Sequence, residues 1–201
     1  MDEFLTRLEK YARKNKIPVV LPDTREFLCN LVREQKPARI LEIGMAIGFS
    51  GSNMLKSFDG AKLTCCEVSK PNIEEARDNF AMQGLTPRVE IIEGDCMRTL
   101  PTLLGQKFDL IFLDGPKTFY LDMIDLILPL LAQNGVWVSD NVLFRGMVRD
   151  GAPITEHRFE RTARILDEFL TKLQQNEKLD TQILHIGDGL SVVKFRGEEN
   201  E

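Results

Sequence analysis

Residues 39–51 read RILEIGMAIGFSG, an apolar run that leads directly into a glycine-containing turn. The run RILEI is typical of a buried strand, and the glycines after it favour a tight turn into a helix. Four more apolar runs follow, with helical stretches between them: KLTCCEV (62–68), RVEII (88–92), FDLIFLD (108–114) and GVWVSD (135–140). Near-continuous apolar strands that alternate with helices predict a parallel sheet covered on both faces, in a doubly wound α/β fold.

The two ends of the chain extend this pattern. Helices are predicted at about 2–15, 23–35, 48–57, 71–83, 97–104, 117–131 and 156–176. Near the C-terminus, TQILHIGDGLSVVKF (181–195) holds two alternating runs around a Gly-Asp-Gly turn, which indicates a hairpin. We therefore expect a mostly parallel seven-stranded sheet with a C-terminal antiparallel hairpin. The chain 1–201 is predicted to be one domain, with N-terminal helices in 1–36 and the α/β core in 37–201.

The composition excludes several classes of protein. The 201 residues are 43% hydrophobic, which is enough for one sizeable core. No apolar run approaches the ~20 residues of a membrane helix, so no membrane association is expected. The four cysteines show no metal-type spacing and are interpreted as buried thiols, which predicts a reducing, cytoplasmic location. The net charge of −5 argues against general coating of nucleic acid but permits a local basic patch.

Carboxylates mark the strand ends, where ligands bind in sheets of this kind. Each strand end or the loop after it carries one: Glu42, Glu67, Asp95, Asp114 and Asp140. The glycines at 44, 48 and 51 lack the GxGxxG spacing of dinucleotide-binding proteins, because the second glycine position is Ala46. This spacing suits a ligand without phosphates.

The residues at these strand ends also predict which cofactor the protein binds. Gly44 allows close approach of an amino-acid group, and Ser50 can donate a hydrogen bond from the next helix. Glu67 can accept bonds from ribose hydroxyls, and Asp95 and Cys96 are placed to border an adenine. Together these residues indicate S-adenosylmethionine (SAM).

Three oxygen-bearing side chains end the fourth and fifth strands. Asp114, Asp140 and Asn141 are hard donors that suit Mg²⁺ or another hard divalent cation. The alternative is that Asp140 and Asn141 only cap a loop. Lys117 is either solvated or, beside a cation, a general base that takes a proton from the acceptor hydroxyl.

At this point the chain resembles the cation-dependent O-methyltransferases, the group that contains catechol and caffeoyl-CoA O-methyltransferases. The resemblance covers about residues 16–195 and rests on LEIGMAIGFS, Glu67, EGDC, LDGPK, SDN and GDGL. It implies a Rossmann-like class I methyltransferase fold, a homodimer, and an enzyme in which Asp114 and Lys117 are catalytic. The implied metal ligands are Asp114, Asp140 and Asn141. The implied cofactor-binding residues are Val20, Gly44, Ser50, Glu67, Asp95, Cys96 and Asp114, and Glu42 is counted with them from its strand end.

The sequence departs from the family pattern at two places. Gly115-Pro116 precedes the lysine where relatives commonly have Ala-Ala or Ala-Asp, and residue 45 is Met rather than the more usual Thr, Val or Ala. Neither change removes a ligand. The first bears on the reach of the lysine and the second on the wall of the cofactor pocket.

The acceptor is predicted from residues 140–164. Within the group, DNVLFRGMV, the arginine-bearing helix and IGDGL most resemble the bacterial tRNA 5-hydroxyuridine methyltransferases, which form 5-methoxyuridine at the wobble position of tRNA. Phe144 could stack on a flat ring and Arg145 could meet its charge. The predicted phosphate-binding residues are Arg158, Arg161 and Arg164, which fall within about a third of the helix circumference.

Other interpretations of this segment remain. The arginines also fit a solvated helix face with local ion pairs. The acceptor would then be a small catechol-like or caffeoyl-type hydroxyl. A third hypothesis is a non-catalytic domain that binds RNA or nucleotides.

Overall fold

The protein is built on one seven-stranded sheet. The computed structural model describes residues 2–154 and 156–197. The strands are β1 (Arg39–Ile43), β2 (Lys62–Glu67), β3 (Val89–Glu93), β4 (Phe108–Leu113), β5 (Leu131–Asp140), β6 (Leu179–Leu184) and β7 (Leu190–Phe195). Their order across the sheet is β3-β2-β1-β4-β5-β7-β6. The first five are parallel, and β7 runs antiparallel to both β5 and β6. The predicted α/β fold with its C-terminal hairpin is confirmed.

Helices cover both faces of this sheet. They are α1 (Glu3–Lys14), α2 (Pro22–Gln35), α3 (Phe49–Ser57), α4 (Lys70–Met82), α5 (Cys96–Thr99), α6 (Tyr120–Ile127) and α7 (His157–Gln175). One apolar core contains buried residues of α1–α4 and the second contains those of α5–α7. In the second core, Trp137 of β5 meets the Phe169 ring edge-on at 5.8 Å between centroids. No helix of the described residues is both long and apolar enough to span a bilayer.

Local sequence signals explain where the helices begin. The Asp2 carboxylate accepts a hydrogen bond from the Leu5 backbone N–H at 2.8 Å, which caps α1. Pro22 and Pro71 lie in the first turns of α2 and α4, where the missing N–H of proline costs nothing. The N-terminal helices therefore form where the pattern predicts them.

The boundary before β5 differs from the prediction. The stretch 117–131 is not one helix, because α6 lies between two 3-10 turns at Lys117–Phe119 and Leu128–Leu130. Strand β5 begins at Leu131 instead of residue 135. Pro129 explains the change, since it lacks an N–H and restricts the residue before it.

The helix predicted at 97–104 is also shorter in the structure. Helix α5 covers four residues and gives way to a 3-10 turn at Leu100–Leu103. Pro101 lies in that turn and removes a backbone donor. Strand β3 begins at Val89, one residue later than predicted, because Arg88 belongs to a 3-10 turn.

The strand order fixes the position of the site. Between β1 and β4 the order of connection reverses, and in open α/β sheets ligands bind at this point, beyond the carboxyl ends of the strands. Because β4 and β5 are parallel neighbours, Leu113 pairs with Ser139 in register. Asp114 and Asp140 each come one residue after those partners, so they emerge side by side.

Candidate active site

The glycine-containing loop after β1 packs tightly against the loop after β4. Gly44 has φ +89°, and a Cβ at this position would lie 2.4 Å from the carbonyl oxygen of Asp114. No residue with a side chain fits there. Gly48 has φ +78° and precedes α3, where a Cβ would meet the Phe80 ring at 2.7 Å. Because these two glycines have no side chains, the loop after β1 can pack against the loop after β4 and against Phe80 of α4.

The carboxylate of Glu67 links two loops at the end of β2. Its Oε1 accepts bonds from the backbone N–H groups of Val68 at 2.9 Å and Ser69 at 2.8 Å. Its Oε2 accepts one from the Ala46 N–H at 3.0 Å. A carboxylate has about four acceptor positions, so Oε2 retains capacity for a ligand hydroxyl. Glu67 is thereby held in a single orientation facing the site.

A cavity of about 300 Å³ lies beside Glu67. Its lining is mostly apolar and includes Gly94, Asp95, Cys96 and Phe119. Asp95 accepts a bond from the Met97 N–H at 2.9 Å and so caps α5. Burial raises the pKa of Cys96 to about 11, which keeps its thiol neutral. This cavity offers an apolar slot with a polar edge.

A second cavity, of about 660 Å³, adjoins the first. The two share lining residues at the ends of three strands: Gly44, Glu67, Asp114 and Gly115. The second cavity also contains Val20, Lys117, Asp140, Asn141 and Arg145. Most of the residues predicted from strand ends thus meet in one cleft.

Asp114 is paired with Lys117 in this cleft. The Nζ of Lys117 lies 2.8 Å from Oδ1 of Asp114, and both side chains are largely buried. The Asp114 N–H donates to the Ile43 carbonyl at 2.9 Å, which joins the loop after β4 to β1. The lysine ammonium also lies 5.6 Å from the centre of the Tyr120 ring.

Asp140 lies deeper, with 1% of its surface exposed. Burial, and then the neighbouring charge of Asp114, raises the pKa of Asp140 to about 7. The Asn141 N–H donates to Oδ1 of Asp140 at 2.7 Å. The buried Tyr120 hydroxyl lies within hydrogen-bonding distance of two carbonyl oxygens, that of Leu113 at 3.2 Å and that of Asp140 at 3.0 Å. The tyrosine joins the ends of β4 and β5.

Two of the predicted cofactor-binding residues lie outside both cavities. Glu42 is fully buried inside β1, and the Ser50 hydroxyl donates a hydrogen bond to it. Burial raises the pKa of Glu42 to about 8, and the charges of Asp114 and Glu67 act in the same direction. Glu42 and Ser50 therefore support the glycine-containing loop from beneath.

The structure places the residues predicted to bind the methyl acceptor in different parts of the molecule. Arg145 lines the second cavity, and Phe144 packs edge-on against Phe159 at 5.5 Å between ring centroids. Arg158 lies over the same Phe159 ring. Arg161 is exposed on α7 and lines neither cavity of the cleft. Arg164 lines a different cavity together with Met147 and Asp167.

The turn between β6 and β7 belongs to the site and was missed as a site element. The Asp188 carboxylate accepts a hydrogen bond from the Arg145 N–H at 2.5 Å. The carbonyl oxygens of Asp188 and Gly189 accept from Leu143 at 3.1 Å and Val142 at 3.0 Å. The GDG pattern predicted only a turn, and nothing in the linear sequence connects it with a loop more than 40 residues earlier.

A family model described as O-methyltransferase matches residues 1–195. The chain belongs to the O-methyltransferase family. The sequence-based resemblance to this family is confirmed.

Relatives of this methyltransferase cover most of its length. A catechol O-methyltransferase of Mycobacterium tuberculosis is 34% identical over 122 residues, which are 60% of this chain and 56% of that protein. A catechol O-methyltransferase of Niastella koreensis is 28% identical over 186 residues, or 87% and 82% of the two chains. The solved structure of the SAH-bound methyltransferase PaMTH1 of Podospora anserina is 30% identical, with a TM-score of 0.85 over 98% of this chain and 89% of that one. SAH is the product that SAM leaves after methyl transfer, and this chain is a SAM-dependent O-methyltransferase.

The donor atoms of the methyltransferase fit a hard divalent cation. Asp114, Asp140 and Asn141, whose side chains carry carboxylate and amide oxygens, line the second cavity, and neither His nor Cys is among its lining residues. Within residues 2–154 and 156–197, no group of three or more His, Cys, Asp or Glu side chains is arranged to hold a metal. The third protein donor would therefore be the Asn141 amide, and a cation here would offset the repulsion between the two carboxylates.

Proposed function

We propose that the methyltransferase modifies a hydroxyl that has a second oxygen on the adjacent carbon, and that it uses Mg²⁺ or a similar cation to do so. The observation that carries this proposal is the meeting of Asp114, Asp140, Asn141 and Lys117 in a cavity that adjoins the slot beside Glu67. A divalent cation held there supplies Lewis-acid polarisation of the two acceptor oxygens. A metal-free methyl transfer would need no pair of carboxylates at this position.

SAM is assigned to the adjoining cavities. Asp95 and Cys96 would border its adenine in the slot, and Oε2 of Glu67 would accept a hydrogen bond from a ribose hydroxyl. Gly44 allows the loop after β1 to pack against the loop after β4, where a side chain would collide with the Asp114 carbonyl, and this loop would border the amino-acid part. This arrangement brings the sulfonium methyl towards Asp114, which borders both cavities.

The methyl transfer itself needs little from the protein beyond orientation and a base. The acceptor oxygen forms a bond to the methyl carbon while the bond from that carbon to sulfur breaks, which leaves a methyl ether and SAH. Nζ of Lys117, once it has given up a proton and is a neutral amine, takes the hydroxyl proton and becomes the ammonium that pairs with Asp114 at 2.8 Å. Holding both reactants in line supplies much of the acceleration.

The acceptor that we assign is 5-hydroxyuridine at the wobble position of a tRNA. Its hydroxyl and the neighbouring carbonyl provide the two adjacent oxygens. Arg145 at the cavity and Arg158 near it supply positive charge for the RNA backbone, although the chain carries a net charge of −5. A small catechol-like acceptor is the second candidate, because two relatives bear the name catechol O-methyltransferase.

One experiment separates these acceptors. The purified protein is incubated with methyl-labelled SAM and either tRNA that carries 5-hydroxyuridine or catechol, with Mg²⁺ or with EDTA. We expect Mg²⁺-dependent label in the tRNA. Label in catechol alone would establish the second candidate.

Matched variants test the role of the cation. Asp140→Asn removes one carboxyl group from the cavity, whereas Asp122→Asn removes one from the exposed face of α6. We expect a loss of at least about a hundredfold in kcat/KM for the first and no change for the second. Equal activity of the two variants would overturn the proposed cation site.

A further inference from the structure

Two arginines share one aromatic ring at the edge of the second cavity. The guanidinium carbon of Arg145 lies 5.5 Å from the centroid of Phe159, and that of Arg158 lies 4.7 Å from it. Both distances are within the range of a favourable cation–π contact. Phe144 supports the ring from the side at an interplanar angle of 83°. Phe159 is therefore the common contact of two guanidinium groups.

The Arg145 side chain is positioned without using its hydrogen-bond donors. Its backbone has φ +58°, in the left-handed region, and its N–H is held by the Asp188 carboxylate. Between residues 2 and 197, Thr155 excepted, no carboxylate lies within 4.0 Å of the Arg145 guanidinium. Its five N–H donors are available to a ligand.

Arg158 is less free but is accessible. It forms an ion pair with Glu156 at 2.7 Å, and both side chains are exposed. An exposed pair of this kind contributes little free energy and exchanges readily for another anion. A phosphate can therefore compete with Glu156 for the guanidinium.

The position of the pair relative to the cavity suggests its ligand. Arg145 lines the cavity that contains Asp114 and Asp140, whereas Arg158 lies outside it on the first turn of α7. A group bound between the two arginines would be attached to a ring inside the cavity. In a nucleotide acceptor, that group is a phosphate of the backbone.

We infer that Arg145 and Arg158, aligned on Phe159, form a subsite for the phosphate group attached to the acceptor nucleoside. Guanidinium groups bind phosphate oxygens through paired, charge-assisted hydrogen bonds. The inference rests on the proposed nucleotide acceptor and deepens it. It also excludes Arg161 and Arg164, which lie elsewhere on α7.

The test compares acceptors that differ only in phosphate. The protein, SAM and Mg²⁺ are combined with 5-hydroxyuridine nucleoside or with its 3′- or 5′-monophosphate, and kcat/KM is measured for each. For the wild type we expect at least one monophosphate to exceed the nucleoside by about tenfold or more, the gain of roughly one charged hydrogen bond. In Arg145→Gln and Arg158→Gln this ratio falls towards one, and in Arg161→Gln it keeps the wild-type value.

Two further variants test whether the geometry of the two arginines matters in addition to their positive charge. Arg145→Lys keeps the charge but loses the planar fork, so the ratio should fall only partly. Phe159→Leu keeps both arginines but removes the ring that aligns them, and it should lower the ratio as well. Circular dichroism of each variant reports whether it is folded.

The possible results distinguish a failure of the proposed phosphate subsite from a failure of the proposed acceptor. Methylation of nucleoside and monophosphates at equal kcat/KM would overturn the subsite and leave the proposed function intact. Methylation of catechol with none of the nucleotides or tRNA would overturn the acceptor and the subsite together. An equal loss of the ratio in Arg161→Gln and Arg145→Gln would show that overall charge, not this pair, is responsible.

Discussion

Replacement of Glu42 by Gln should change how the stability of the protein depends on pH. Glu42 has no exposed surface, and one of its oxygens accepts the Ser50 hydroxyl. Its other oxygen, Oε2, has no partner among the described residues. Because burial raises its pKa to about 8, Glu42 is neutral in the folded protein at pH 7. Gln has nearly the same shape and is neutral at every pH.

The magnitude follows from the two pKa values. The unfolded chain releases the proton near 4.5, whereas the folded protein keeps it up to about 8. Between these values the unfolded state binds fewer protons, so the free energy of unfolding falls as the pH rises, and it levels off above the folded pKa. At about 1.4 kcal/mol per pH unit, the total change attributable to Glu42 is on the order of 5 kcal/mol.

Urea denaturation of both proteins between pH 4.5 and 9, followed by circular dichroism, measures this effect. We expect the free energy of unfolding of Glu42→Gln, relative to wild type, to rise steadily up to about pH 8 and then stay constant. Glu74→Gln on the exposed surface of α4 is the matched control for replacing a carboxyl group by an amide. A pH-independent difference for Glu42→Gln would refute the buried neutral acid.

Three more predictions concern the site. Tyr120→Phe removes the hydroxyl that joins the ends of β4 and β5, so it should lower the free energy of unfolding by about 1–2 kcal/mol and raise the Mg²⁺ concentration for half-maximal activity. Gly44→Ala should weaken SAM binding by about tenfold or more in calorimetry, whereas Gly84→Ala, which also has a positive φ but open space around it, should bind SAM normally. Asp188→Leu should raise KM for the acceptor because the Arg145 N–H loses its acceptor, and Asp188→Asn, which keeps an oxygen there, should restore most of it. A similar loss in both Asp188 variants would indicate that its charge, rather than its hydrogen bond, matters.

The positions of the carboxylates in the site could be predicted because these residues lie at the ends of strands. Parallel strands bring their carboxyl ends to the same edge, so Asp114 and Asp140 could be placed together without knowledge of any side-chain contact. Glu42 shows the limit of this rule. It lies one residue inside β1, and its side chain enters the core instead of the cleft.

The acceptor side was less predictable because it depends on contacts distant in sequence. Helical periodicity placed Arg158, Arg161 and Arg164 near one another, but it gave no information on which side of α7 meets the cavity. Nothing in the sequence marks Phe159, since only the fold brings it to Arg145. The contact between Asp188 and the loop after β5 likewise requires the antiparallel pairing of β5 with β7.

The reversal of strand order between β1 and β4 separates two tasks in the molecule. The segments after β1, β2 and β3 supply most of the lining of the slot beside Glu67, whereas the loop after β5 and the β6–β7 turn line only the other cavity. The ends of β1, β2 and β4 contribute residues to both cavities. Descendants of such a chain can therefore acquire new acceptors by replacing residues 141–159 while they keep the machinery for SAM unaltered. This separation provides a physical reason why one fold can serve relatives that differ in what they methylate.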